Sequence, residues 1–175
     1  MHEYKIREVD IRLIGFDPGL RCTGWGVIDV QGNLLSYIAD GSVKTDSTLS
    51  LAGRLAQLYE NLIRIIQQYH PDEAAVEETF VNKNAASTLK LGQARAISLL
   101  VPAQSGLKVF EYSPNLIKKT VVGVGHADKN QVKVMVKTLL PGAIIESFDS
   151  ADALAVAICH ANHRGNFQGK LVVSR

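Results

Sequence analysis

The chain has little that would let it be stapled, anchored or built around sulfur. Its two cysteines, Cys22 and Cys159, stand alone, with no second thiol at metal or redox-pair spacing. That excludes a disulfide framework, a zinc site and thiol catalysis. No run approaches the roughly 20 apolar residues a membrane helix needs. The opening Met1-His2-Glu3-Tyr4-Lys5-Ile6-Arg7-Glu8-Val9-Asp10 is too polar for a signal peptide. A cytoplasmic location with reduced thiols and no membrane partner is the expectation. The glycine-rich stretch Val121-Val122-Gly123-Val124-Gly125 lacks the Gly-Lys-Ser/Thr ending of a Walker loop. Internal repeats, low-complexity tracts and interdomain linkers are absent as well.

What is present is ordinary in amount and uneven in placement. With 175 residues, 46% hydrophobic and 21% charged, the chain suits one domain that buries about 70% of its unfolded surface. Net charge is only +2. Between Lys108 and Thr138, however, six lysines face two acids, a local balance of +4 that leaves the remainder at −2. A basic sector beside acidic residues suits a phosphodiester substrate, because lysines hold the backbone while carboxylates hold a cation.

Residues 12–16 read as a buried strand stopped by Asp17-Pro18-Gly19. Gly24 to Val30 and Leu34 to Val43, joined through Gln31-Gly32-Asn33, complete an antiparallel three-stranded meander. From Leu51 the period becomes helical, with Leu51, Leu55, Leu58, Leu62, Ile65 and Ile66 on one face, Ser47 or Thr48 as N-cap, and Pro71 at the end. Glu73 to Glu78 and Leu107 to Tyr112 read as strands. Asn84 to Gln104, the segment after Ser113-Pro114, Lys129 to Leu140 and Phe148 to His163 read as helices. The order predicts an α/β fold: a mixed five-stranded sheet with helices on both faces. Residues 1–11 form an N-terminal extension, 12–165 a single domain and 166–175 a short tail.

Four acids sit where a fold can ill afford charge. Asp17 ends one apolar run, Glu77 another, and Asp149 and Asp152 head the apolar segment Ala151 to Ile158. Each has an ordinary explanation. Asp-Pro-Gly is a common turn, a strand-end Glu is often solvated, and Asp149 with Asp152 could cap a helix. The adjacent Glu78 points to the opposite face, and alternation alone does not choose between it and Glu77. Together, carboxylates at the edge of an apolar core repel and desolvate one another unless a cation neutralises them. Magnesium fits, because it takes oxygen ligands and shares them with substrate phosphate. Two such ions roughly 4 Å apart would activate a water and stabilise a departing 3′ oxygen.

Several other residues bear on substrate. Phe80, in the polar segment Thr79 to Asn84, is either a core anchor or an aromatic that stacks on an unpaired base. Lys118, Lys119 and Lys129 flank the Gly123–Gly125 stretch and are solvated side chains or phosphate contacts. His160 and His163 lack a third ligand and read as structural or solvent-facing.

These residues resemble a known family. Ile14-Gly15-Phe16-Asp17-Pro18-Gly19 with Thr23-Gly24-Trp25-Gly26, Val76-Glu77-Glu78-Thr79-Phe80 with Lys83-Asn84, Leu89 to Arg95, Val121-Val122-Gly123 and Asp149 to Ala155 are similar, in this order, to RuvC, the bacterial Holliday junction resolvases of the ribonuclease-H-like superfamily. The resemblance runs from about Arg12 to His163. It implies a ribonuclease-H-like sheet and a homodimeric, magnesium-dependent endonuclease, with manganese able to substitute, acting in recombination and DNA repair. Such an enzyme makes paired nicks in four-way junction DNA that leave 5′-phosphate and 3′-hydroxyl ends, in partnership with the RuvA and RuvB branch-migration complex.

By position, the resemblance implies that Asp17, Glu77, Asp149 and Asp152 are catalytic, metal-holding carboxylates, favouring Glu77 over Glu78. It implies that Phe80 stacks at the crossover and that Lys118 and Lys129 serve activity and DNA contact; Lys83, Lys90 and Lys119 are further candidate DNA contacts. The leader before Leu13 is about ten residues longer than the family pattern, and the tail after Arg164 is short. The competing classes are an actin-like ATPase, which needs a duplicated domain and second phosphate loop; a YqgF-like nuclease, which shares the Asp-Pro-Gly opening; and a non-catalytic junction-binding protein.

Overall fold

The computed structural model describes residues 11–79, 84–145, 147–164 and 170–171. Strands β1 (Ile11–Asp17), β2 (Cys22–Gln31) and β3 (Leu34–Lys44) form the expected antiparallel meander. Helix α1 (Leu51–Tyr69) leads to β4 (Glu73–Glu77), α2 (Ala85–Gln104) to β5 (Lys108–Tyr112), and α3 (Pro114–Val122), α4 (Lys129–Leu139) and α5 (Phe148–His163) follow. A two-residue strand β6 (Lys170–Leu171) pairs antiparallel with β5. The sheet order is β3-β2-β1-β4-β5-β6, with β1, β4 and β5 parallel.

The expected five strands are therefore joined by a sixth from the segment read as tail. Two residues show no period, so the sequence could not flag them. The N-cap of α1 is also corrected. Ser50 caps it, accepting from the Gly53 amide at 3.2 Å. Thr48 instead donates its amide and hydroxyl to Asp46 in a local turn, at 2.8 and 2.7 Å. Ser113 and Ser147 cap α3 and α5, and Asp128 with Gln131 forms a capping box on α4.

Period-two alternation divides the core. Ile14, Phe16, Val27, Ala74 and Val76 pack under α1 and α2, whereas Leu13, Ile28, Ala75, Phe110 and Tyr112 pack under α3, α4 and α5. Helix α5 is buried along nearly its whole length and lies across β1 and β2. It comes close because glycines face it. A Cβ at Gly15 would sit 2.2 Å from the Ala153 carbonyl oxygen, and one at Gly24 would sit 2.0 Å from the Asp149 carbonyl oxygen.

Candidate active site

Counting by two along β1 from Leu13 brings Asp17 to the α5 side of the sheet, and counting along β4 from Ala75 brings Glu77 to the same side. The two residues end adjacent parallel strands, in which Phe16 is paired with Val76. Helix α5 delivers Asp149 and Asp152 in its first turns, and Gly24 meets the backbone at Asp149. Asp17 is thus paired across the sheet with the glycine on which the start of α5 rests.

Asp17, Glu77 and Asp152 line one cleft of about 220 Å³, floored by Ile117, Val132 and Ala155 and faced by Lys118 and Lys129. The Lys129 ammonium lies 3.8 Å from the Asp152 carboxylate. Burial, first, and then the charge of Glu77 push Asp17 well above the usual carboxylate range, with Asp152 and Asp149 adding to the effect. Glu77 is raised by burial, opposed by its hydrogen bond with Asp17 and by Lys118 and Lys129. Asp152 is raised by burial against the pull of Lys129. Asp17 and Glu77 stand close enough that the ionised form of one disfavours the ionised form of the other.

Asp149 is close enough to act on Asp17 and Asp152 by charge, yet it does not line the cleft. One of its oxygens accepts from the Cys22 thiol at 3.1 Å, and Ser42 hydrogen-bonds the same thiol. Sequence reasoning missed this partner. The signal was there in principle, because Cys22 lies two residues before Gly24 and so shares its face.

The donor set is all carboxylate, which suits a hard divalent cation. As placed, no three His, Cys, Asp or Glu side chains among the described residues are gathered tightly enough to hold one. Two of the acids have partners of another kind: Lys129 for Asp152 and the Cys22 thiol for Asp149. By donor chemistry and by the excess of buried negative charge, the residues fit such an ion.

The other predicted residues scatter. Glu78 lies beyond the end of β4 and does not line the cleft. Lys119 is exposed and also does not line it. Lys90 is exposed on α2 beside a separate groove with Arg21 and Arg54. Arg54 is committed there, donating to the Thr45 hydroxyl at 2.8 Å and the Leu20 carbonyl at 3.3 Å, and so holds the turn after Asp17. Thr23 closes that turn from inside, donating to the Gly19 carbonyl at 2.7 Å. Phe80 and Lys83 lie outside the described residues. His160 is fully buried, as a structural role requires, and His163 is partly buried against the Cys159 carbonyl. No helix among the described residues is long and apolar enough to cross a membrane.

The family model of the crossover junction endodeoxyribonuclease RuvC matches residues 13–160. A crossover junction endodeoxyribonuclease RuvC of Agrobacterium fabrum is 59% identical over 155 residues, which are 89% of this chain and 91% of that protein. Its counterpart in Bartonella henselae is 61% identical over 154 residues, 88% of this chain and 91% of the relative. Among solved structures, T. thermophilus RuvC in complex with a Holliday junction substrate superposes with a TM-score of 0.85 at 28% identity, covering 93% of this chain and 99% of that one. The yeast mitochondrial Holliday junction resolvase Ydc2, at 11% identity and a TM-score of 0.64, shares the fold. A match of this extent over the segment that carries all four acids leaves one assignment: the chain belongs to the RuvC family of crossover junction endodeoxyribonucleases.

Proposed function

We propose that this member of the RuvC family resolves four-way DNA junctions by hydrolytic nicking, with Asp17, Glu77, Asp149 and Asp152 as the metal-holding carboxylates. The observation that supports it most is the meeting of Asp17, Glu77 and Asp152, from three elements distant in sequence, in one cleft faced by two lysines. Buried carboxylates that compete for protons are stable as anions only against positive charge. Magnesium, probed equally well with manganese, is the cation proposed, two per site. When bound, it polarises the phosphate and sharpens a water as nucleophile.

The side chains supply the rest. Lys118, partly buried at the cleft wall, faces the phosphate that enters and stabilises charge on it or on the leaving oxygen. Lys129 answers Asp152 in the free protein and is released to the DNA backbone once that carboxylate is neutralised. Lys90 with Arg21, and Lys119 on α3, are proposed to meet phosphates of flanking arms rather than to take part in chemistry, since none of them lines the cleft. Phe80 and Lys83 are proposed to meet the junction centre.

A junction has two equivalent strands to cut, so a homodimer with two-fold symmetry presents two equivalent clefts. The exposed Leu89 and Leu100 on α2, at 66% and 49% exposure, make that helix the proposed interface. RuvA and RuvB are the proposed assembly partners. The deciding test is cleavage of a synthetic mobile four-way junction against linear duplex, with magnesium and with chelator. Junction-selective, chelator-sensitive cutting is the expected result. Equal cutting of both substrates would overturn the proposal.

A further inference from the structure

Away from the cleft, the structure buries a polar cluster that the proposed chemistry does not use. His160, on α5, has no solvent exposure. Its Nε2 donates to Glu73 Oε2 at 3.0 Å, since a carboxylate only accepts, and its Nδ1 is hydrogen-bonded with the Tyr112 hydroxyl at 2.8 Å. Arg164, just past the end of α5, donates to both Glu73 oxygens at 3.2 and 3.3 Å. Phe110 stacks on the imidazole with centroids 4.4 Å apart. Every polar atom of the ring is satisfied, so the contact is directional and resists sliding.

Its position gives it a further consequence. Glu73 begins β4 and Glu77 ends it, so four strand steps separate them by about 13 Å. Asp152 and His160 are eight residues apart on α5, which is about 12 Å of helix. The spans match, and the ends meet in opposite order: His160 bonds Glu73, while Asp152 shares the cleft with Glu77. A slip of α5 by one residue along β4 would move Asp152 by about 1.5 Å relative to Glu77.

We propose that Glu73, His160 and Tyr112 are positioning residues that pin α5 along β4 and thereby set the Glu77–Asp152 spacing on which cation binding depends. The inference rests on the reading of the four acids as metal ligands. Outer groups that orient metal ligands typically contribute 10- to 100-fold in metal affinity or activity. Here the pin acts through a helix rather than through a direct bond, so the low end of that range applies.

The test is direct Mn²⁺ binding, by calorimetry and by electron paramagnetic resonance of the free ion, on the DNA-free full chain. Five variants are compared: Glu73→Ala, Glu73→Gln, His160→Gln, Leu62→Val in the opposite core as a stability control, and Asp17→Asn. Glu73→Ala is expected to weaken Mn²⁺ binding about tenfold and to raise the metal concentration for half-maximal cleavage more than it lowers the saturated rate. Glu73→Gln keeps an acceptor for Nε2 and is expected to stay within about threefold of the parent. Leu62→Val should lower the melting temperature with no change in Mn²⁺ affinity. His160→Gln, measured at 15 °C if it melts early, should follow Glu73→Ala. Parent-like Mn²⁺ affinity in Glu73→Ala, or loss in Leu62→Val equal to that in Glu73→Ala, overturns the pin. Parent-like affinity in Asp17→Asn overturns instead the carboxylate reading beneath it.

Discussion

Replacing Gly15 by alanine tests how the site is assembled without touching a charged group. The added Cβ would lie 2.2 Å from the Ala153 carbonyl oxygen, 2.7 Å from the Ala157 amide nitrogen and 3.1 Å from the Ala157 Cβ. All three belong to the middle of α5, and two are backbone atoms that no rotamer change can move. Restoring an ordinary contact needs about 1 Å of separation, and overpacking of this kind costs about 1–3 kcal/mol. The upper half of that range applies, because β1 is central in the sheet and has neighbours on both sides. At roughly 2–4 °C per kcal/mol for a chain of this size, the melting temperature should fall by about 5–10 °C.

The functional loss should exceed the stability loss. Helix α5 carries Asp149 and Asp152, and displacement of catalytic groups by about 1 Å costs on the order of 100-fold in rate. Thermal unfolding by circular dichroism and single-turnover junction cleavage, both well below the melting point, measure the two effects separately. Gly92→Ala serves as control: nothing lies within 4 Å of its added Cβ, it sits inside α2, and it should stabilise by about 0.5–1 kcal/mol. A Gly15→Ala protein that melts within 1–2 °C of the parent and cuts at the parental rate would refute the packing on which the site rests.

Asp17→Asn should raise the melting temperature of the metal-free protein, because it removes a buried carboxyl whose ionised form is opposed by burial and by three neighbouring acids, while abolishing cleavage and the stabilisation by added divalent cation; unchanged cutting would dismiss Asp17. Asp17, Glu77 and Asp152 are all raised, so they hold protons at pH values where ordinary carboxylates have lost them and a cation must displace those protons. Divalent affinity should therefore weaken as pH falls toward the carboxylate range, with proton release visible as a buffer-dependent calorimetric heat; a pH-independent affinity with no release contradicts this. Glu73 behaves oppositely. Its hydrogen bond with His160, first, and then Arg164 hold it down at about 2. A lowered folded-state value contributes stability in full above the ordinary range near 4.5 and loses it progressively as pH falls toward 2. The difference in melting temperature between parent and Glu73→Gln should accordingly shrink over that window, and a constant difference counts against the assignment. Lys118→Ala should lower the saturated cleavage rate by about 10²–10³-fold with junction binding retained; parental cutting would remove Lys118 from the chemistry.

The sequence by itself determined five of the six described strands, the five helices and the identity of the acids, because these are local. Apolar runs bounded by turn residues marked the strands, the 3.6-residue period marked α1, and Ser113-Pro114 marked the start of α3, each readable within a few residues. The ordered motifs around Asp17, Glu77 and Asp149 through Asp152 were specific enough to indicate the family. What alternation left open was which helices cover which face of the sheet. Only the tertiary structure decided that α5 lies on the side of Leu13 and Ala75, which puts Glu77 in the cleft and leaves Glu78 out of it. The same placement turned Asp149 toward Cys22, sent Lys119 outward and Lys90 to a different groove, and closed Glu73, His160 and Tyr112 into one buried cluster. These are contacts between residues 48 to 127 positions apart. No local period encodes them, because they follow from sheet order and from where glycine lets a helix backbone come down.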